Sequence, residues 1–441
     1  MIKKTIEKTI KKIVCVCLAA ISAVCFIACT KRNDKDAQSG GYTANKRYLL
    51  GVGDVISECA AVRAVSGVDG EYMAEKCEEL GMKTVRIWMH FSDLFTRVNT
   101  SDDFILNEEK CKIFHDYIAK LKAHGVERIL SMNHTFLRPY GVTAANDYTI
   151  ANPKTDYKMY VWQLEKYEWA YKTLVAEFPE IDYYEVGNEF DHTGGEYLHD
   201  FTYVGSWSQN GVYTMEEAAY ITADLCWYAK RGIKAANENA TVVLPGITRS
   251  AEKSLDYFEW LYKHIEGGYL PTGKPYSDVN ADNYFDIAAW HAYFNEGETA
   301  AQWKTRQDDF YAVMKRHGDA YKKVWFTEMG FSDYTYATKN EDGTVDYSVG
   351  QAKVAELMKE MLDLMVSDMP YLETITLFRM AEMYTYINPE TGVKEGEVWT
   401  DYEEHFGLYY APNDKEKKGA AKPIAGVVLD FSKKLNQEVG K

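Results

Sequence analysis

Apolar residues along this chain recur in two alternating rhythms. Short runs rich in β-branched and aromatic residues fall at 48–53, 84–88, 128–132, 183–187, 241–245, 285–290, 323–327 and 374–378, and each reads as a strand. Between them lie longer amphipathic segments with helical spacing at 71–80, 107–124, 159–178, 215–237, 254–265, 300–317 and 350–367, with a last one at 423–435. Gly81 and Gly125 close two of these helices where a left-handed residue is needed, and Thr214 followed by Glu217 reads as a capping box. Eight strand-then-helix units with no internal linker predict a single α/β domain over 47–441, closed as a (β/α)8 TIM barrel. The rival is an open doubly wound sheet, but Gly51-Val52-Gly53-Asp54 after the first strand is too short to be a phosphate-binding turn.

The N-terminus follows neither rhythm. Residues 1–12 carry five lysines and one glutamate, and 13–28 form an apolar or small-residue run, the layout of an export signal. That run is shorter than the ~18 to 20 residues a membrane-spanning helix needs. Phe26-Ile27-Ala28-Cys29 resembles a bacterial lipobox, with Phe26 in place of the usual Leu, which implies that Cys29 is lipid-modified and becomes the first mature residue. Polar residues up to 46 then read as a tether. The expected organisation is a signal peptide at 1–28, the lipidated Cys29 with its tether to 46, and the barrel, held outside the cytoplasm on a bacterial membrane.

Composition narrows the partners. Of 441 residues, 46% are hydrophobic and 26% charged, which excludes a mainly disordered, collagen-like or multi-span chain. A net charge of -16 argues against nucleic acid. The 34 Tyr, 18 Phe and 10 Trp exceed the usual needs of a core, so some are expected to line a binding surface. Cys15, Cys17 and Cys25 leave with the signal, and Cys59, Cys77, Cys111 and Cys226 show no metal-binding spacing. The last three sit in helical patterns and read as buried thiols.

In a barrel of this kind, chemistry sits at the C-terminal ends of the strands. The fourth strand ends in Asn188-Glu189 and the seventh in Thr327-Glu328-Met329-Gly330, so two carboxylates are carried to one rim. Cleavage of a glycosidic bond needs such a pair, one to protonate the leaving oxygen and one to attack or activate water. Arg86 would favour the ionised form of Glu328, and Tyr293 could donate to it. Asn188 offers an amide to a sugar hydroxyl. No cofactor is required. His90, His134 and His291 with the two glutamates could instead hold a metal, although no His-x-His or His-Glu-x-x-His pattern supports one. Trp88, Trp207, Trp290, Phe331, Tyr334 and Trp399 are candidate sugar platforms, and the long segments 190–213, 331–347 and 379–406 are expected to shape a cleft.

Taken together, these motifs resemble the clan A glycoside hydrolases, retaining enzymes built on a (β/α)8 barrel, and the resemblance spans roughly 47–435. It implies that Glu189 is the acid/base and Glu328 the nucleophile. It also implies substrate contacts from Asn188, Arg86, His134, His291 and Tyr293, with an oligo- or polysaccharide as substrate. Many clan members end strand eight with a Trp beneath the reacting sugar. Here Phe378 occupies that stretch, and Arg379 or Glu382 could reach the sugar instead. A noncatalytic glycan-binding lipoprotein and a metal-dependent hydrolase or isomerase are the competing readings.

Overall fold

The computed structural model describes residues 46–54, 67–142, 150–191 apart from 152 and 155, 214–248, 252–267, 279–383 and 401–439, all within one compact unit. The signal segment, Cys29, the tether up to 45, Cys59, Trp207 and Trp399 lie outside them. Eight strands alternate with eight principal helices. The strands are β1 (Leu50–Asp54), β2 (Thr84–Trp88), β3 (Arg128–Met132), β4 (Tyr183–Glu185), β5 (Thr241–Val243), β6 (Ala288–His291), β7 (Val324–Met329) and β8 (Leu372–Leu377). The helices are α1 (Gly70–Leu80), α2 (Glu108–Ala123), α3 (Tyr157–Glu177), α4 (Met215–Ala236), α5 (Glu252–Gly267), α6 (Ala300–Arg316), α7 (Tyr347–Ser367) and α8 (Pro423–Val439).

The strands pair in the order β5-β4-β3-β2-β1-β8-β7-β6, every ladder parallel. A parallel bridge between Val243 and Ile287, with Leu244 N–H donating to Ile287 O at 2.9 Å, brings β5 to β6 and closes the ring. Local signals set the helix boundaries. Asp69, Asn107, Asp156, Thr214, Thr299 and Asp346 each accept a backbone N–H of the first turn, and Thr214/Glu217 and Thr299/Gln302 complete capping boxes. Gly81 ends α1 at φ 65°.

Of the boundaries that differ from the expected ones, three bear on the fold. Strand β4 stops at Glu185 because Gly187, at φ 110°, turns the chain. Strand β6 starts at Ala288 rather than 285, where the Asp286 side chain takes the Val242 N–H at 2.9 Å. Lys46, assigned to the tether by composition, is buried, and its Nζ donates to Met369 O and Leu372 O at 2.8 and 2.6 Å. Two short antiparallel ribbons, Phe95–Arg97 with Phe104–Leu106 and Thr338–Lys339 with Val345–Asp346, had no sequence signal. Cys77, Cys111 and Cys226 are buried free thiols, and among the described residues no helix is long and apolar enough to cross a membrane.

Inside the ring, Leu130, Val243, Ile287, Ala289 and Trp325 form a small apolar layer with Tyr183 packed on it. Strand alternation then puts Arg86 and Glu185 on the same inward face, on the C-terminal side of that layer. Strand β7 breaks strict alternation. Ile375 pairs with Phe326 but Leu377 with Met329, and Trp290 pairs with Phe326 but His291 with Glu328, so one extra residue is accommodated at Thr327–Glu328. That bulge lets Glu328 face the interior directly after Thr327.

Candidate active site

Arg86 organises the centre. Its Nε donates to Glu185 Oε2 at 2.5 Å, Nη1 to Glu328 Oε1 at 2.7 Å and Nη2 to Asn188 Oδ1 at 2.6 Å. The guanidinium is 1% exposed and the Glu185 side chain 0%. Burial alone would disfavour the charge on Arg86, but Glu185 and Glu328 outweigh it and raise its pKa above the ordinary arginine value. The second oxygen of Glu328 accepts the Tyr293 hydroxyl at 2.8 Å. Burial, reinforced by the Glu328 charge, holds that hydroxyl well above the usual tyrosine range, so it remains a donor.

Glu189 approaches from β4. Its backbone is left-handed, at φ 50°, and is held there by its own N–H donating to Gly246 O at 2.8 Å, next to an Asn188–Gly246 bridge. Gly246 must be small. A Cβ there would lie 2.2 Å from His291 Nε2, and the Gly246 N–H also binds Glu185 Oε1 at 3.0 Å. Nδ1 of His291 stands 2.5 Å from Glu189 Oε1 and 3.5 Å from Glu328 Oε2. Burial works against a charged His291 ring, yet Glu328 and Glu189 together raise its pKa above the ordinary value. An oxygen from each glutamate and the His291 nitrogen all lie within 4.8 Å of one another.

Two more groups frame this centre. His134, His90 and Trp88 pack together, the histidine rings 4.4 Å apart and Trp88 5.3 and 5.5 Å from them. Burial, with the Arg86 charge adding to it, pushes His90 down to about 4, and burial, then His90 and Arg86, holds His134 well below the usual range. Both are neutral imidazoles. Phe378 and Phe406 pack at 5.5 Å with Trp88, Tyr293 and Tyr402 against them, and the buried Trp88 Nε1–H has no acceptor among the described residues.

The sequence-selected Arg86, Trp88, His134, Asn188, Glu189, His291, Tyr293, Glu328 and Phe378 therefore all lie at or beside one centre; Trp207 falls outside the described residues. Trp290 and Phe331 are corrected: neither is a platform, because both are buried. Strand alternation turns Trp290 toward the helices, where it packs on Phe258, Phe310 and Phe326 and donates to Gln307 at 2.9 Å. Glu382 does not reach toward a sugar either. It is buried with Lys422 Nζ at 2.8 Å and His405 Nδ1 at 3.1 Å. Sequence reasoning missed Glu185, Gly246, Phe406 and Tyr402. For Glu185 a signal existed, since a carboxylate in mid-strand of a parallel barrel must find a cation.

Among the described residues two clusters carry metal-ligand chemistry, Glu189/His291/Glu328 and Asp333/Glu382/His405. In the second, Lys422 Nζ already supplies the cation, 2.6 Å from Asp333 and 2.8 Å from Glu382. In the first, both Glu328 oxygens are engaged by Arg86 and Tyr293.

No protein-family model and no curated protein matches the sequence. Solved structures do match. A β-glucosidase from Thermotoga maritima in complex with deoxynojirimycin aligns over 89% of this chain and 98% of its own, at TM-score 0.53 and 13% identity. The chain shares the fold of glycoside hydrolases. A Bifidobacterium longum enzyme of GH5 subfamily 18, in complex with Manβ1-4GlcNAc, aligns over 88% of this chain and 78% of its own, at TM-score 0.53 and 15% identity. A glucosidase from Croceicoccus marinus gives 88% and 68%, at TM-score 0.52 and 12% identity. At the level of fold these neighbours agree with the clan A resemblance.

Proposed function

We propose that the protein is a retaining β-glycosidase acting on O-glycosidic bonds of an oligo- or polysaccharide. The observation that carries this reading is the approach of a Glu189 oxygen and a Glu328 oxygen to within 4.8 Å on one rim of the barrel. Retaining enzymes hold their carboxyl groups ~5 to 5.5 Å apart, whereas inverting enzymes leave ~6.5 to 9.5 Å for a water. Support also comes from the sugar complexes reported for neighbours of the same fold, one with Manβ1-4GlcNAc and one with deoxynojirimycin.

Glu328, ionised beside Arg86, attacks the anomeric carbon while Glu189 protonates the departing oxygen. The proton comes from the pair formed by His291 Nδ1 and Glu189 Oε1. The resulting glycosyl ester is then opened by water, whose proton Glu189 removes, and the electron pair of the ester bond returns to Glu328. Neutral His90 and His134 beside Trp88 suit uncharged sugar hydroxyls, and the partly exposed Trp88, Tyr293 and Tyr402, packed on the buried Phe378 and Phe406, offer aromatic faces to a pyranose. Cys29 would anchor the enzyme by a lipid outside the cytoplasm, the tether carrying the barrel toward glycans at the cell surface or in the periplasm.

The test is product analysis by NMR on a panel of β-linked oligosaccharides. The first-formed product is expected to be the β-anomer, and Glu328→Gln to abolish release while retaining glycan binding. A first-formed α-anomer refutes the two-step route. Glycan binding without any product places the protein among noncatalytic binders.

A further inference from the structure

Arg86 meets two buried carboxylates, and the proposed chemistry uses only one of them. Glu185 binds Arg86 Nε at 2.5 Å, is fully buried, and ends β4 four residues before Glu189. Its other oxygen holds the Gly246 N–H at 3.0 Å, and Gly246 in turn receives the Glu189 N–H at 2.8 Å. A single permanent cation is thus shared between a carboxylate that the proposed chemistry leaves untouched and one that it esterifies and releases.

We infer that Glu185 is a positioning residue that balances the charge of Arg86, so that the cation stabilises Glu328 neither too strongly before attack nor too weakly when the ester opens. This rests on the glycosidase reading above. While Glu328 is a carboxylate, Arg86 faces two anions. Once Glu328 is an ester, Arg86 and Glu185 remain as a neutral buried pair, and no lone cation is left beneath the sugar. Without the Glu185 charge, the whole of Arg86 acts on Glu328 at 2.7 Å. The attacking carboxylate is then over-stabilised and forms its ester more slowly, whereas the same carboxylate leaves the ester more readily. Arg86 contacts the Glu328 carboxylate directly, whereas a carbon attacked by Glu328 would make no such contact, so its developing positive charge would feel the change less than the carboxylate does.

A structural defect slows both half-reactions together, whereas a charge-balancing role moves them in opposite directions. The experiment compares wild type with Glu185→Gln, and with Glu185→Asp as the variant that keeps the charge. The probes are 2-deoxy-2-fluoro-β-glucosyl and β-mannosyl fluorides, followed by intact-mass spectrometry. Labelling of Glu328 reports ester formation, and loss of the label after removal of free probe reports ester opening. Wild type is expected to label on Glu328. Glu185→Gln should label several-fold more slowly and lose its label several-fold faster, with Glu185→Asp closer to wild type in both. Slowing of both steps in Glu185→Gln, or no change in either, overturns the inference and leaves the glycosidase reading standing. A label that appears on a residue other than Glu328 overturns the inference together with the assignment of Glu328 as nucleophile.

Discussion

The sharpest stability test of the site geometry is removal of its central cation. Arg86→Met keeps much of the side-chain volume but deletes hydrogen bonds of 2.5, 2.7 and 2.6 Å, leaving Glu185 buried with, among the described residues, the Gly246 N–H to meet its charge. Breaking one partner out of a buried ion pair costs about 3–5 kcal/mol. A folded unit of about 400 residues has an unfolding entropy of about 0.8 kcal/mol/K, so the melting temperature should fall by about 4–6 °C. Scanning calorimetry of wild type, Arg86→Met, Glu185→Gln and the double variant at pH 7 measures this directly. Because the double variant has no orphaned Glu185 charge, it should recover at least half of the Arg86→Met loss, about 2 kcal/mol, and cost less than the two single variants added together. An Arg86→Met melting temperature within about 1 °C of wild type refutes the reasoning, as does a double variant no better than the sum of the singles.

Glu189→Ala should lower the rate on natural glycosides by about 10²–10⁴-fold, and azide should restore turnover of an activated aryl glycoside, giving the β-glycosyl azide by chromatography. Burial of Asp191 raises its pKa from 3.8 to about 6. The stability this group contributes is therefore fully present below 3.8 and lost as pH rises through 6, by roughly 3 kcal/mol at most. Urea denaturation at pH 4 and pH 7 should show that loss in wild type and not in Asp191→Asn. For His291, whose folded pKa is raised above 6.5, the contribution is full below 6.5 and falls as pH rises through the folded value, so His291→Gln should cost more stability at pH 5.5 than at pH 9. Dialysis against EDTA should leave turnover unchanged in a reducing-sugar assay, since Arg86 and Tyr293 already occupy the Glu328 oxygens.

Much of this architecture was legible because each barrel strand is short, apolar and followed by a capped amphipathic helix. Period and cap alone place Thr84–Trp88, Arg128–Met132 and Met215–Ala236 within a residue of their observed ends. Strand-end position likewise found Asn188, Glu189 and Glu328. Contacts made through space were harder to see. Glu185 acquires its meaning from Arg86, 99 residues away, and Phe406 joins Phe378 only after the chain has left β8 and returned. Trp290 misled because tryptophan composition says nothing of side-chain direction, which the parity of β6 decides. The left-handed backbone of Glu189 is set by Gly246, beyond the reach of any local pattern.

The bulge in β7 carries a consequence for how such a site could diversify. Regular pleating seats one inward side chain for every two residues, but the doubled step seats Thr327 and Glu328 side by side. The Thr327 hydroxyl is buried with no hydrogen-bond partner among the described residues and lies against the space beside Gly246 and His291. Exchanging that threonine for serine, alanine or valine would remodel the wall next to the acid without moving the neighbouring carboxylate, a second tuning position supplied by the same strand.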